Sequence, residues 1–190
     1  MSNKTITKQR TEVYWLVLCA ILISITLVMK VIFYFIPIIN GYGIELHLVV
    51  YIYSLIIIKN HKWKWTYWFI TPWVLLIIPP TFINFWDLLL EYILALYIFV
   101  PFIFWEKIIP KKNDKKALVI QILIFSVLII TLIFLKLFIH TIAGVLWWMP
   151  NNWYGSFIFN LPIYGVTLAF VLPISILVYQ PMQKLIISRI

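Results

Sequence analysis

Charge is what this 190-residue chain has least of: Asp, Glu, Lys and Arg make up 11% of it, against roughly 25% in ordinary globular proteins. It has one cysteine, Cys19, and five glycines. The lone thiol excludes a disulfide-built scaffold. None of the glycines belongs to a GxxxxGK phosphate loop, so the chain cannot bind and hydrolyse ATP in that way. What fills the sequence is apolar: hydrophobic residues reach 64% and the mean hydropathy is +1.03, where about 45–50% apolar is usual. So much apolar surface cannot be hidden inside a globule of this size. That excludes a cytosolic enzyme and a nucleic-acid binder, and predicts an all-α, polytopic membrane protein. The net charge of +9 then reads as loop charge that fixes orientation.

A membrane span needs about 20 mostly apolar residues. The charge-poor runs predict six of them in a single integral membrane domain over 1–190, at 13–38, 44–58, 65–86, 88–105, 117–140 and 156–180, the second being short. The polar stretch from Pro150 to Gly155 reads as the loop before the last span. The first apolar run is too long for a removable signal peptide and lacks a small-residue cleavage site. Thirteen of the fifteen Lys and Arg fall before the first span, in 59–64, in 106–116 or after the last span, all on one side of a six-span layout. The positive-inside rule makes that side cytoplasmic, with both termini inside and the protein in the cell membrane. The same basic loops are compatible with anionic lipid, though topology signals account for them. Trp86, Trp147, Trp148 and Trp153 fall near the outer interface, as an aromatic belt does.

The two remaining cations, Lys30 and Lys136, share an outer layer with Glu45, His47, Asp87, Glu91 and His140. A charge at the centre of the hydrocarbon costs about 2.5–3.5 kcal/mol on insertion scales. Ionisable groups spread over several spans are most economically satisfied by facing one shared polar cavity. Asp87, Glu91 and Ala95 are four apart, as are Lys136 and His140, with Ala143 and Gly144 a turn further on. Small residues beside a polar stripe leave room for a ligand or for another helix. Trp faces attract organic cations and stack on flat rings, so the combination suits a small, flat, partly cationic solute. Each member also has a plainer reading. Lys136 can snorkel to the outer headgroups, Asp87 can cap a helix start, and Cys19 can be an apolar filler.

The segment Leu89-Leu90-Glu91-Tyr92-Ile93-Leu94-Ala95 resembles the LLEYxLA stretch of the thiamine-specific S-component of energy-coupling factor (ECF) transporters. Lys136, His140, Gly144 and Trp148 are similarly spaced to that family's (K/R)xxxHxxxGxxxW stretch. Tyr154-Gly155-Ser156 and Asn160 resemble its Tyr-containing loop and the Tyr-Asn pair at the start of its last span, with Phe159 where the family usually has Tyr. The resemblance covers the second half of the chain by motif and the first half by layout.

This resemblance implies a substrate-binding membrane subunit of an ECF-type vitamin importer, not an enzyme and without a cofactor or metal. The implied ligand is thiamine or a close relative. It implies partners outside this chain, namely a transmembrane coupling subunit and two cytoplasmic ATPases, together with the lipid bilayer and no nucleic acid. By motif position, Glu91 hydrogen-bonds the aminopyrimidine ring and Trp148 stacks on the ligand. Tyr92, Lys136, His140, Asn160 and Tyr154 complete the site, with Tyr42 as the aromatic of the first outer loop. Ala20 and Ser24 resemble the small-x3-small pattern through which S-components dock on the coupling subunit; ordinary helix packing explains that pair equally. Three rival functions remain at this stage: an S-component for another vitamin or a thiamine precursor, an intramembrane enzyme using Glu91 and His140, and a non-binding assembly subunit. The enzyme reading lacks an HExxH or paired-carboxylate signature.

Overall fold

The computed structural model describes residues 3–34, 37–39, 42–78, 84–110 and 115–187. The fold is all-α. Six helices are formed by these residues: α1 (Asn3–Tyr34), α2 (His47–Ile57), α3 (His61–Leu75), α4 (Phe85–Ile108), α5 (Lys115–Ala143, continued by a π-helical turn over Gly144–Trp148) and α6 (Trp153–Ile187). A small antiparallel ribbon, β1 (Pro37–Ile39) with β2 (Tyr42–Gly43), joins α1 to α2.

Among the described residues four stretches, Arg10–Tyr34, Phe85–Ile108, Lys116–Trp148 and Trp153–Tyr179, are long and apolar enough to cross a bilayer. The other two helices are shorter. At 11 and 15 residues, α2 and α3 rise only about 16 and 22 Å, against a hydrocarbon core of about 30 Å. The expected third span over 65–86 is not one helix. α3 begins at His61, where the Asn60 side chain accepts a hydrogen bond from Trp63 N, and ends at Leu75; the next helix among the described residues starts at Phe85. Pro79 and Pro80 stand in the interval, and proline cannot continue a helix. The fifth and last helices extend beyond the predicted spans at both ends, whereas α1 begins earlier than predicted, at Asn3, and ends at Tyr34. The end of the predicted first span lies instead in a strand, Pro37–Ile39, proline being unable to continue a helix. The expected 150–155 loop is shorter than its composition indicates. Asn151 turns the chain with φ 62°, Asn152 accepts from Gly155 N at 2.8 Å, and Tyr154 and Gly155 are already helical.

Packing follows from which faces are apolar. α2 is apolar nearly all round, and a helix of that kind must be surrounded. Leu48, Tyr51, Ile52 and Leu55 are fully buried, between α1, α3 and α6. Where α4, α5 and α6 meet, a cluster of Phe99, Phe102, Trp105, Phe125 and Tyr179 fills the core.

Prolines inside the helices free backbone carbonyls, and the neighbouring helices re-satisfy them. Pro101 removes the bond that the Tyr97 carbonyl would accept, and the Trp68 indole donates there instead, at 3.2 Å. Pro72 does the same to the Trp68 carbonyl, which the Tyr51 hydroxyl reaches at 3.4 Å. The open carbonyl of Leu75 at the end of α3 accepts from Lys30 Nζ at 2.7 Å. Lys30 thus has a structural partner at the C-terminus of α3, a favourable place for a cation.

Candidate functional site

Between α4, α5 and α6, with Glu45 from the segment before α2, lies a cavity of about 280 Å³. This is near the lower end of the roughly 300–1,000 Å³ usual for small-molecule sites. Five of the eight residues named from the sequence line it: Glu91, Tyr92, His140, Trp148 and Asn160. Lys136 lies just beneath, against a smaller chamber of about 50 Å³ that shares Glu45, Glu91 and Tyr92 with the larger one. One expectation fails to join this group. Tyr154 is 78% exposed and does not line the cavity, because α6 begins before it and turns it outward. The Tyr42 side chain lies outside the described residues; only its backbone, in β2, is described.

Two local irregularities bring the side chains to the cavity. Glu91 and Tyr92 sit in a π-helical turn over Leu89–Leu94, and Trp148 ends the π-helical turn Gly144–Trp148. Such turns redirect a helix face by one extra residue and are frequent at functional sites. Gly144, which opens the second of them, allows α5 to approach α6 closely. A Cβ at Gly144 would lie 2.1 Å from Ser156 Oγ and 3.1 Å from Ser156 Cβ.

The polar groups have defined partners. Lys136 Nζ is bound by both oxygens of Glu45, at 2.6 and 2.8 Å. His140 Nδ1 lies 3.7 Å from Glu91 Oε1, too far for a hydrogen bond. His140 Nε2 is buried with no hydrogen-bond partner among the described residues. Asn160 Nδ2 donates to the Ser156 carbonyl at 2.9 Å and the His140 carbonyl at 3.5 Å, which leaves its side-chain oxygen as an acceptor. The Trp148 indole donates to Asp87 Oδ2 at 3.2 Å. Aromatic surface from Trp148, Phe159 and Tyr164 makes up much of the remaining wall, with Tyr164 packed 5.0 Å from the His140 ring.

Several of these roles could not be assigned from the sequence. Asp87 is fully buried and does not act as the helix cap; Asn84 does, accepting from Trp86 N and Asp87 N. Lys136 is also buried, held inward by Glu45 instead of snorkelling to the headgroups. Glu45 stands 91 positions from Lys136, and no spacing rule links them. Tyr164 was legible in principle: Ser156, Asn160 and Tyr164 are four apart and share one face of α6.

The small-residue pair on α1 is exposed. Ala20 and Ser24 lie on the open side of the helix with Leu16, Val17 and Ile21, Ser24 Oγ donating to the Ala20 carbonyl at 2.8 Å. The opposite side, with Cys19 and Thr26, packs on Trp63 and Tyr67 of α3. Among the described residues no group of three His, Cys, Asp or Glu side chains converges as metal ligands.

Compared with known proteins, the chain matches no family model, no curated protein and no solved structure.

Proposed function

We propose that this membrane protein is the substrate-binding subunit of an ECF-type vitamin importer, taking thiamine or a close relative. The observation that carries the reading is the juxtaposition of Glu91 and Trp148 in one 280 Å³ cavity, although 57 positions separate them in sequence. A carboxylate with a neighbouring imidazole can meet the edge of an aminopyrimidine, and an indole at the mouth can cover a flat ring. His140 and the Asn160 oxygen supply further polar contacts, and Lys136 supports the floor through Glu45. The cavity belongs to the outer half of the positive-inside layout, with both termini cytoplasmic in the cell membrane. Energy would come from a coupling subunit and two ATPases, with Ala20 and Ser24 on the face offered to the former.

The test is a thermal-shift screen of the purified protein in detergent against a vitamin panel, followed by calorimetry. Thiamine is expected to stabilise the protein and to quench its Trp fluorescence. A different vitamin emerging alone, or none, refutes the assignment of thiamine.

A further inference from the structure

The larger cavity contains an electrostatic asymmetry. Its ionisable lining among the described residues comprises two carboxylates, Glu45 and Glu91, with His140 and the phenols of Tyr92 and Tyr164, and no Lys or Arg. The two cations of this layer, half-buried Lys30 and buried Lys136, line the smaller chamber below, together with His47 and the same two carboxylates. Lys30 is directed to the Leu75 carbonyl. Lys136, almost fully buried, is bound by both oxygens of Glu45. Glu45 is itself fixed at its backbone, N–H donating to Thr167 Oγ1 of α6 at 3.5 Å.

We propose that Glu45 is a specificity-determining residue: by holding Lys136 beneath the cavity floor, it leaves the Glu91 carboxylate to a cationic ligand. The argument is one of competition for a single ammonium. Lys136, Glu45 and Glu91 border the same 50 Å³ space, and a lysine side chain is long, flexible and strongly attracted to any carboxylate in a low-dielectric site. With Glu45 present, Lys136 has a two-oxygen partner and no reason to leave it. Without Glu45, the nearest available carboxylate at that chamber is Glu91, and a lysine paired there would cancel the charge a cation needs. Asp87, above Glu91, is engaged with Trp148 and adds to the negative potential in either case. The inference rests on the proposed binding role of this cavity but not on the ligand being thiamine.

The experiment separates those two claims by using a flat cation and its neutral near-isostere, benzamidinium and benzamide, beside thiamine. Binding to the full-length protein in nanodiscs is followed by Trp fluorescence and calorimetry. The wild type is expected to bind benzamidinium at least tenfold more tightly than benzamide. Glu45→Gln, which keeps the shape and removes the charge, is expected to bring that ratio close to one. Glu45→Gln combined with Lys136→Met is expected to restore the preference for the cation, because the competing ammonium is gone. The double variant also serves if Glu45→Gln alone leaves too much unpaired charge to fold. An unchanged ratio in Glu45→Gln, no cation preference in the wild type, or a double variant that does not regain it overturns the proposal. If thiamine fails to bind while the ratios behave as stated, the vitamin assignment falls and the role of Glu45 stands.

Discussion

The Trp148 indole N–H points at Asp87 Oδ2, 3.2 Å away, and this contact ties the C-terminal end of α5 to the first turn of α4 beside the cavity. Asp87 is fully buried in the first turn of α4, whose N-cap is Asn84. A carboxylate placed there orients the ring that lines the cavity, since indole nitrogen is only a donor and a carboxylate is an acceptor.

Replacing Asp87 with Leu is therefore expected to release the Trp148 ring. A hydrogen bond to a charged group is worth about 1.5–3 kcal/mol, and a tenfold or greater loss of ligand affinity is expected by calorimetry. In a Trp148→Phe background the same change is expected to cost little more, because the contact is already gone. Asn84→Ala, by contrast, is expected to lower stability by about 1 kcal/mol with ligand affinity nearly kept. Equal effects of the Asp87 change in both backgrounds would refute the contact's role.

Glu91→Gln keeps the shape of the cavity wall and removes its charge. The expected loss is roughly 1.5–3 kcal/mol, about tenfold to over a hundredfold in affinity for thiamine. Trp148→Ala is expected to cost a comparable amount and to abolish the ligand-dependent quench. Normal binding by both folded variants removes the centre of the proposed site.

Gly144→Ala places a methyl group against Ser156. The closest atom is a hydroxyl that also donates to the Thr141 carbonyl at 2.9 Å, so it cannot swing away without losing that bond. Overpacking of this kind typically costs about 1–3 kcal/mol, read as a lowered unfolding temperature in detergent. Adding Ser156→Gly removes both opposing atoms and is expected to recover part of the loss; no recovery would place the cause elsewhere.

Ala20→Leu with Ser24→Leu alters only the exposed side of α1. If that side meets the coupling subunit, close helix approach is blocked: co-purification and uptake are lost while ligand binding to the isolated protein persists. Unchanged co-purification refutes the docking assignment.

Orientation is tested by single cysteines at positions 113 and 152 in a Cys19→Ala background. An impermeant maleimide added to intact cells is expected to label position 152 and to reach position 113 only after lysis. Labelling of both from outside contradicts the six-span, both-termini-inside layout.

Much of the helical framework was readable because membrane residence imposes a simple rule: long apolar runs must be helices that close their own backbone hydrogen bonds. The run behind α1 and those behind α5 and α6 are recognisable without any knowledge of contacts. Periodicity also placed Lys136 and His140 on one face of α5. It was less informative for α2 and α3, whose 11 and 15 residues look like parts of spans. A short buried helix and a segment of a long one share the same composition. Nor does any one-dimensional pattern announce a π-helical turn, which depends on how α4 and α5 settle against their neighbours.

Composition by itself determined that this chain is an all-α membrane protein, and charge spacing predicted a polar layer shared by several helices, since buried charge is too costly to be scattered. Which charges meet was decided only by tertiary structure. Glu45 and Lys136 are 91 positions apart, and Asp87 and Trp148 are 61 apart. Each pair forms because the packing of α5 against α4 and α6 removes water from groups that then require partners, and the nearest partner is a matter of distance in space, not along the chain.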